Sequence, residues 1–412
     1  MKRLMTIVMM SFAVAVVQAQ TVISGVVLDN QTHRPLSRVS VITDGKAIHT
    51  VTNDDGHFTL KTHQQPRYIE VNHIGYKTRR VPVADSNTSE PLQILMTNSS
   101  IQLREVIVSV DEPLSIVKAA ISRIGKNYPN ETELMRCFYR ETAQRGSQFI
   151  SVAEAVADIY KTSYLYPPDN DAVAIQKGRR LMSMKAKDTL GVKIQGGPLM
   201  AILADVAKNP DYLLNEQTLR QCRLSLEDPV NINDRMHYVV LIQPFESMLF
   251  AQMGGRLFID CETYTISRAE LQLDVSDWRK ASDYMLVSKP QGLRFRPKML
   301  NTTIVYHADQ QGITRINYLR NEMRFNCDWK RRLFARTFTT VSEMVVTDHL
   351  ERGKTAKRPR GRSSFGVKER FYDKVAYFDD PDFWADYNII EPTESLEHSI
   401  DKLKKKVQPK TH

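Results

Sequence analysis

The chain has 412 residues, 42% of them hydrophobic and 25% charged, which are ordinary globular values that exclude wholesale disorder. Two domains fit that length. The net charge of +10 would suit nucleic acid or an anionic surface as partner.

Lys2 and Arg3 precede an almost unbroken apolar run from Leu4 to Val17, and Val17-Gln18-Ala19 places small residues where a signal peptidase cuts. Residues 1–19 therefore read as a secretory signal peptide, because the run is too short to cross about 30 Å of hydrocarbon. The mature chain then begins at Gln20 and keeps a charge of +8 once Lys2 and Arg3 are gone. Export removes nucleic acid from the partners and leaves lipid headgroups and acidic glycans. No Cys lies near the cut to carry a lipid anchor, and no later stretch is apolar enough for a membrane helix.

From residue 20 to 110 the pattern is one of short strands. Val22, Ser24, Val26 and Leu28 alternate with Ile23, Gly25 and Val27, and Asp29-Asn30 ends the run. Further strands follow at Val39–Ile42, Thr50–Thr52, Phe58–Leu60, Tyr68–Val71 and Leu92–Met96, with turns such as Asp44-Gly45 and Asn53-Asp54-Asp55-Gly56 between them. Such spacing predicts a β-sandwich. The carboxylates of Asp54 and Asp55 could hold calcium. The later acidic ligand of a helix–loop–helix site is missing, however, and Asp-Gly is an ordinary turn.

Ser24-Gly25-Val26-Val27-Leu28-Asp29, Pro35-Leu36 with Val39-Ser40-Val41, Thr52–Phe58 and Ile74-Gly75-Tyr76-Lys77 together resemble the carboxypeptidase-like regulatory domain. The resemblance covers residues 21–97, and Leu103–Val108 looks like the tail that often follows this module in envelope proteins. It implies a transthyretin-like sandwich of about seven strands. It implies no peptidase activity, since the module is a non-catalytic companion of the zinc enzymes.

A linker helix is expected over 112–126, capped by Asp111, with Val117, Ala120, Ile121 and Ile124 on one face. Strands return after Pro129: Met135, Cys137 and Tyr139 alternate with Arg136, Phe138 and Arg140. Val152, Val156 and Tyr160 share one strand side with Glu154 and Asp158, whose carboxylates suggest a solvent-facing side or a polar lining. Strands at 235–242, 256–259 and 263–273 and a hairpin over 300–325 complete the set, interrupted by one helix beginning at Pro198. The basic loop 352–362 holds six cations and reads as a solvated linker. A final helix over 393–407 carries Leu396, Ile400, Leu403 and Val407 on one face, with acids early and lysines late. Phe378, Phe383, Trp384 and Tyr387 gather just before it, either as a recognition surface or as an anchor for the chain end.

The region 111–412 is thus expected to be a mainly-β domain of antiparallel sheet with a few helices. Cys137–Glu141, Asp188–Leu190 with Gly196-Gly197-Pro198, and Asp382–Pro392 resemble uncharacterised envelope proteins that carry the same first module. Gly255–Asp260 followed by Thr263–Arg268 is similar to a hairpin of half-barrel lipoprotein carriers.

Familiar catalytic chemistry is missing. No His has Glu three residues on, and only His398 has Asp401 there, on the amphipathic tail helix. There is no H-E-x-x-H, G-x-S-x-G or phosphate loop. Cys137, Cys222, Cys261 and Cys327 permit up to two disulfides in an oxidising compartment or four buried thiols, and no Cys-x-x-Cys pair exists. No catalytic, metal or cofactor-binding residue is assigned. The expected role is non-catalytic binding or scaffolding in a Gram-negative envelope, in the periplasm or at the outer membrane. The alternatives are a lipid or lipoprotein carrier with a half-barrel cavity, and an enzyme with an unfamiliar site. A large cavity lined by Val, Ile, Leu and Met would favour the carrier, and converging His and carboxylates the enzyme.

Overall fold

The computed structural model describes residues 20–44, 48–83, 91–99, 112–183, 192–194, 196–245, 249–329, 336–366, 369–380 and 387–407. Residues 1–19, read above as a signal peptide, and Asp111, Phe383 and Trp384 lie outside them. The fold is mainly β, as expected, and among the described residues no helix is long and apolar enough to cross a membrane.

The N-terminal strands are β1 (Thr21–Asp29), β2 (Ser40–Thr43), β3 (His49–Val51), β4 (His57–Thr62), β5 (Tyr68–Asn72), β6 (Arg79–Pro82) and β7 (Leu92–Met96). They form two sheets, ordered β4-β1-β7 and β3-β2-β5-β6. Period-two alternation sends Ile23 and Val27 of β1 inward, where they meet Val41, Phe58, Leu60, Val71 and Ile94 in a core of their own. The Asn53–Gly56 segment is a turn, with Gly56 at φ 79°. Its polar groups are committed to structure: Asn53 Oδ1 accepts from the Asp55 and His57 amides, and Asp54 pairs with Arg38. Because this core is complete without its neighbour, residues 20–110 expressed alone should unfold cooperatively in a circular-dichroism melt. A fragment without structure would show that the sandwich depends on the sheet beside it.

Two short helices follow, α1 (Pro113–Ser122) and α2 (Ile124–Asn127). The expected single helix is broken at Arg123, and Glu112 occupies the N-cap with no side-chain cap. Ile116, Val117 and Ala120 are buried, while Ile121 and Ile124 pack partly exposed on the same core.

The rest is organised by one sheet. Its region contains β8 (Glu133–Arg145), β9 (Gln148–Lys161), β10 (Ala172–Met182), β11 (Lys193–Ile194), β12 (Cys222–Ile232), β13 (Arg235–Pro244), β14 (Met253–Asp260), β15 (Ile266–Leu273), β16 (Leu286–Ser288), β17 (Leu293–Ala308), β18 (Thr314–Trp329) and β19 (Arg336–Arg352). Ten of these pair antiparallel in the order β10-β9-β8-β19-β18-β17-β15-β14-β13-β12, and β11 and β16 pair separately. The Gly255–Asp260 hairpin forms as expected, and a Cβ on Gly255 would fall 2.1 Å from the Glu270 carbonyl of β15. Among the described residues four α-helices rather than one interrupt the strands: α3 (Pro198–Leu203), α4 (Pro210–Leu213), α5 (Glu216–Arg220) and α6 (Trp278–Met285). The added ones are a turn or two long, too short for a periodic apolar stripe to announce them. α7 (Phe371–Val375) and α8 (Glu394–Val407) close the chain.

The sheet buries both faces. Its inner face joins Cys137, Tyr139, Val240, Leu257, Ile304 and Leu319 with the helices in a single core. The outer face receives the sandwich and the C-terminal segment: Val51 of β3 packs with Phe138, Tyr318, Val345, Ile389 and Ile390. Leu396, Ile400 and Leu403 of α8 cover Val152. The segment before α8 runs under the sandwich, where Thr50 Oγ1 donates to the Ile389 carbonyl at 3.0 Å and Asn53 Nδ2 to the Pro392 carbonyl at 3.0 Å. Asp55 accepts from the Glu394 amide at 2.9 Å, capping α8 from the other domain.

This second layer overturns the solvent-facing reading of Glu154. Its side chain is wholly buried and accepts from Arg140 Nε and Arg179 Nε, each at 2.6 Å. Asp158, two pleats along, pairs with Arg136 at 2.9 Å. The anchoring reading of the aromatic cluster holds for its described members. Tyr387 lies beneath Arg136 and Lys177, and Phe378 packs partly buried on the main core. The four cysteines are unpaired thiols, three of them buried. Burial pushes the Cys137 thiol well up, so it is inert to thiolate chemistry. The basic loop is exposed, with Arg362 stacked over Tyr377.

Candidate ligand cavity

A cavity of about 1000 Å³ opens on the inner face of the sheet, between β8, β9, β17, β18 and β19 on one side and α3, α4, α6 and α7 on the other. Strand alternation places Ile150, Leu300 and Met323 in its wall, and the helices add Met200 and Leu203. Leu165, Tyr166, Met182 and Val287 line it while remaining exposed, at 42–64% of their surface. These four make an apolar rim. The volume sits at the upper end of the usual range of about 300–1,000 Å³ for small-molecule sites.

The lining is mixed: Asp169, Lys193, Asp211, Asp283, Glu369 and Arg370 also border the cavity, which holds two hydrogen-bonded polar stations. At one, Glu141 accepts from the Tyr139 hydroxyl and from the Gly197 amide, both at 2.8 Å. Burial pushes this carboxyl above its ordinary range against those hydrogen bonds. Gly197 holds φ 89° there, and a Cβ on it would strike the Phe365 ring at 2.5 Å. At the other, the Thr302 hydroxyl donates to Asn321 at 2.7 Å, and the Tyr212 and Tyr284 hydroxyls bond to one another. Such a wall offers apolar contact along Ile150, Met200, Leu203, Leu300 and Met323 and hydrogen-bonding groups and charges elsewhere.

Beside the cavity lies a buried ionic cluster. Lys161 pairs with Asp205 at 2.9 Å and Lys208 with Asp171 at 2.7 Å, all four side chains almost fully enclosed. Asp205 also accepts from the Tyr164 and Tyr306 hydroxyls, at 2.8 and 2.7 Å. Desolvation and the neighbouring Lys161 charge bring Lys208 down to about 8, with Asp171 opposing. Although Lys208 borders the cavity, its ammonium already donates to the Thr162 carbonyl, the Thr162 hydroxyl and Asp171. Its three protons are spent on the protein. The cluster supports the cavity floor rather than a ligand.

A second cavity of about 520 Å³ lies where the sandwich meets the sheet, and His49, His307, His349, Glu133, Asp309 and Arg315 line it. Histidines and carboxylates do converge there. The carboxylates are held by Arg315, however, with Glu133 at 2.8 Å and Asp309 at 2.6 Å. Among the described residues none of the three imidazoles bonds to a carboxylate, so no oriented general base is assembled. Nor do the described residues contain a group of three or more ligands arranged to hold a metal ion, and His398 and Asp401 are both exposed on α8.

Sequence reading located none of these clusters. Each draws on several segments that lie tens to hundreds of residues apart, and each member looks like an ordinary strand or loop residue in its own neighbourhood.

No curated protein matches the chain. Among solved structures it is similar to a DUF1329 family protein from Desulfovibrio piger, at 11% identity and a TM-score of 0.22, covering 58% of this chain and 95% of that one. It is also similar to a LolA superfamily protein from Nitrosomonas europaea, at 14% identity and a TM-score of 0.20, covering 57% and 93%. A third similar structure is an outer membrane lipoprotein-sorting protein domain from Vibrio parahaemolyticus, at 8% identity and a TM-score of 0.24, covering 58% and 93%. Overlaps this slight carry no function across. The family comparison is specific to the first domain: a model described as CarboxypepD_reg-like domain matches residues 23–108. The chain is thus a two-part protein, a CarboxypepD_reg-like domain followed by a mainly-β region built on one ten-stranded antiparallel sheet.

Proposed function

We propose that the mainly-β region is a non-catalytic carrier in the cell envelope, whose inner-face cavity takes up a molecule with a long apolar chain, a lipid or a lipidated protein. The observation that supports this is the cavity itself: about 1000 Å³, with an apolar stretch of Ile150, Met200, Leu203, Leu300 and Met323, charged residues around it, and an exposed apolar rim. A plain scaffold needs no such space. The polar stations at Glu141 and at Thr302–Asn321 suit one amphipathic ligand lying with its head at either of them. The sandwich, docked on the opposite face, supports the sheet without touching the ligand. The export signal read from residues 1–19 supplies the compartment.

The test is to fill the space. Met200 and Met323 are half-buried in the cavity wall, so Met200→Trp with Met323→Trp projects two indoles into the void. Titration with a fluorescent long-chain fatty acid or phospholipid should show binding to the wild type that weakens at least tenfold in the double variant. An unchanged thermal midpoint assures that the fold survives. Equal affinity in both proteins, or none in the wild type, would reject the carrier.

A further inference from the structure

The junction between the sandwich and the sheet is built on histidine. His49 of β3 is almost fully buried and meets two imidazoles across the interface. His307 at the end of β17 lies 5.4 Å away between ring centroids, and His349 of β19 lies 6.2 Å away. Both contacts are edge-on, at about 70° between planes. His49 Nδ1 is enclosed and makes no hydrogen bond among the described residues. We infer that these three imidazoles form an acid-sensitive latch, which holds the sandwich on the sheet when neutral and releases it when protonated.

The surroundings are those of a neutral packing element. Around the rings stand Arg315 from β18, Glu133 from β8, Asp348 from β19, Glu70 from β5 and Asp309 from the β17–β18 turn, with Glu351 and Arg352 at the end of β19. Arg315 is fixed by Glu133 and Asp309, so its positive charge stays beside the rings at every relevant pH. A proton on His49 would sit in an enclosed site against that charge and against any proton on its two partners. Desolvation is the leading cause holding all three imidazoles below their ordinary value, and ring repulsion adds to it at His49 and His307. Glu70 and Asp309 at His307, and Glu133, Asp348 and Asp309 at His349, oppose it without cancelling it. His73, at the end of the sandwich that carries Ile74 onto β12–β14, is brought down to about 4 by burial and by Arg268 and Arg38. It works in the same direction.

The sign follows from linkage. A released sandwich exposes imidazoles that titrate near 6.5, so the open state binds more protons as pH falls below that value. Docking is therefore at full strength above about pH 6.5 and weakens below it, by up to roughly tenfold per pH unit for each histidine. The hydrogen bonds that accompany docking, from Thr50 to Ile389 and from Asn317 to Ser40, should open with it.

Hydrogen exchange on the full mature chain tests this, with rates corrected for the intrinsic pH dependence of exchange. The amides that donate across the junction, Gly75 to the Asn231 carbonyl, Thr78 to Asp234 and Lys61 to Asn388, should open at least roughly 30-fold more at pH 5.0 than at pH 7.5, the amount one histidine contributes over 1.5 pH units. Peptides inside β17 and β18 should change far less. His49→Gln, His307→Gln and His349→Gln combined should flatten most of the response. Should that variant not fold, His349→Gln alone, at a half-buried position, should reduce it measurably. His57→Gln, an exposed histidine of the same sandwich, should keep the wild-type profile. Equal protection of the junction amides Gly75, Thr78 and Lys61 at the two pH values, or a full response surviving in the His349→Gln protein, would overturn the latch.

Discussion

Replacing Glu154 by Gln should destabilise the protein by about 3–5 kcal/mol, the usual loss when one partner of a buried ion pair is removed. Glu154 is wholly enclosed and holds two guanidiniums at once, Arg140 and Arg179. Gln keeps the shape and one acceptor oxygen but removes the negative charge that the two guanidiniums share in this enclosed site. Arg140 also donates to the Ile390 carbonyl at 2.7 Å, so the C-terminal segment should loosen as well. Chemical denaturation measures the loss, and proteolysis near residue 390 measures the loosening. A change below about 1 kcal/mol would mean that water reaches this site and the pair is effectively exposed.

The second large effect is expected at Asp205, the counter-charge under the cavity. Asp205→Asn should cost about 3–5 kcal/mol, because Lys161 and Lys208 would then share Asp171 alone in an enclosed site. Adding Lys161→Met should recover a good part of that loss, as the double-mutant cycle isolates the pair. The pH dependence carries a second signature. Burial pulls the Asp205 carboxyl upward, but Lys161 and the Tyr306 and Tyr164 hydroxyls outweigh it and hold it below the ordinary value. A depressed carboxylate contributes stability that is present above its unfolded value of about 4 and lost as pH falls through its folded value. Acid denaturation of the wild type should therefore include this loss, and the Asp205→Asn protein should lack it.

Much of the architecture was legible because local pattern and tertiary role agree. In β1 the alternation of Ile23, Gly25 and Val27 is the burial pattern itself, and the Gly255–Arg268 motif forms the hairpin it suggests. Leu396, Ile400 and Leu403 share a face as periodicity requires, and they bury it on Val152. Glu154 was misread for a physical reason. Charged residues on alternate strand positions signal solvent only when one face of a sheet is wet. Here the outer face is covered by residues 387–407 and by β3, elements separated from Glu154 by more than a hundred residues in the chain. The cavity was invisible for a related reason. Met200 and Met323 look like core residues in their own segments, and an empty volume has no sequence of its own. The same holds for the junction, where His49, His307 and His349 come from three distant strands.

The cavity claim is tested most directly by what the protein carries from the cell. The mature chain should be purified from envelope extract without detergent and sprayed intact under native conditions, beside the Met200→Trp, Met323→Trp variant. A carrier predicts a stoichiometric adduct whose mass and fragmentation identify an acyl-chain lipid or a lipidated peptide, lost from the variant while its thermal midpoint holds. Bare protein from the wild type, or an adduct that persists unchanged in the variant, would contradict the account.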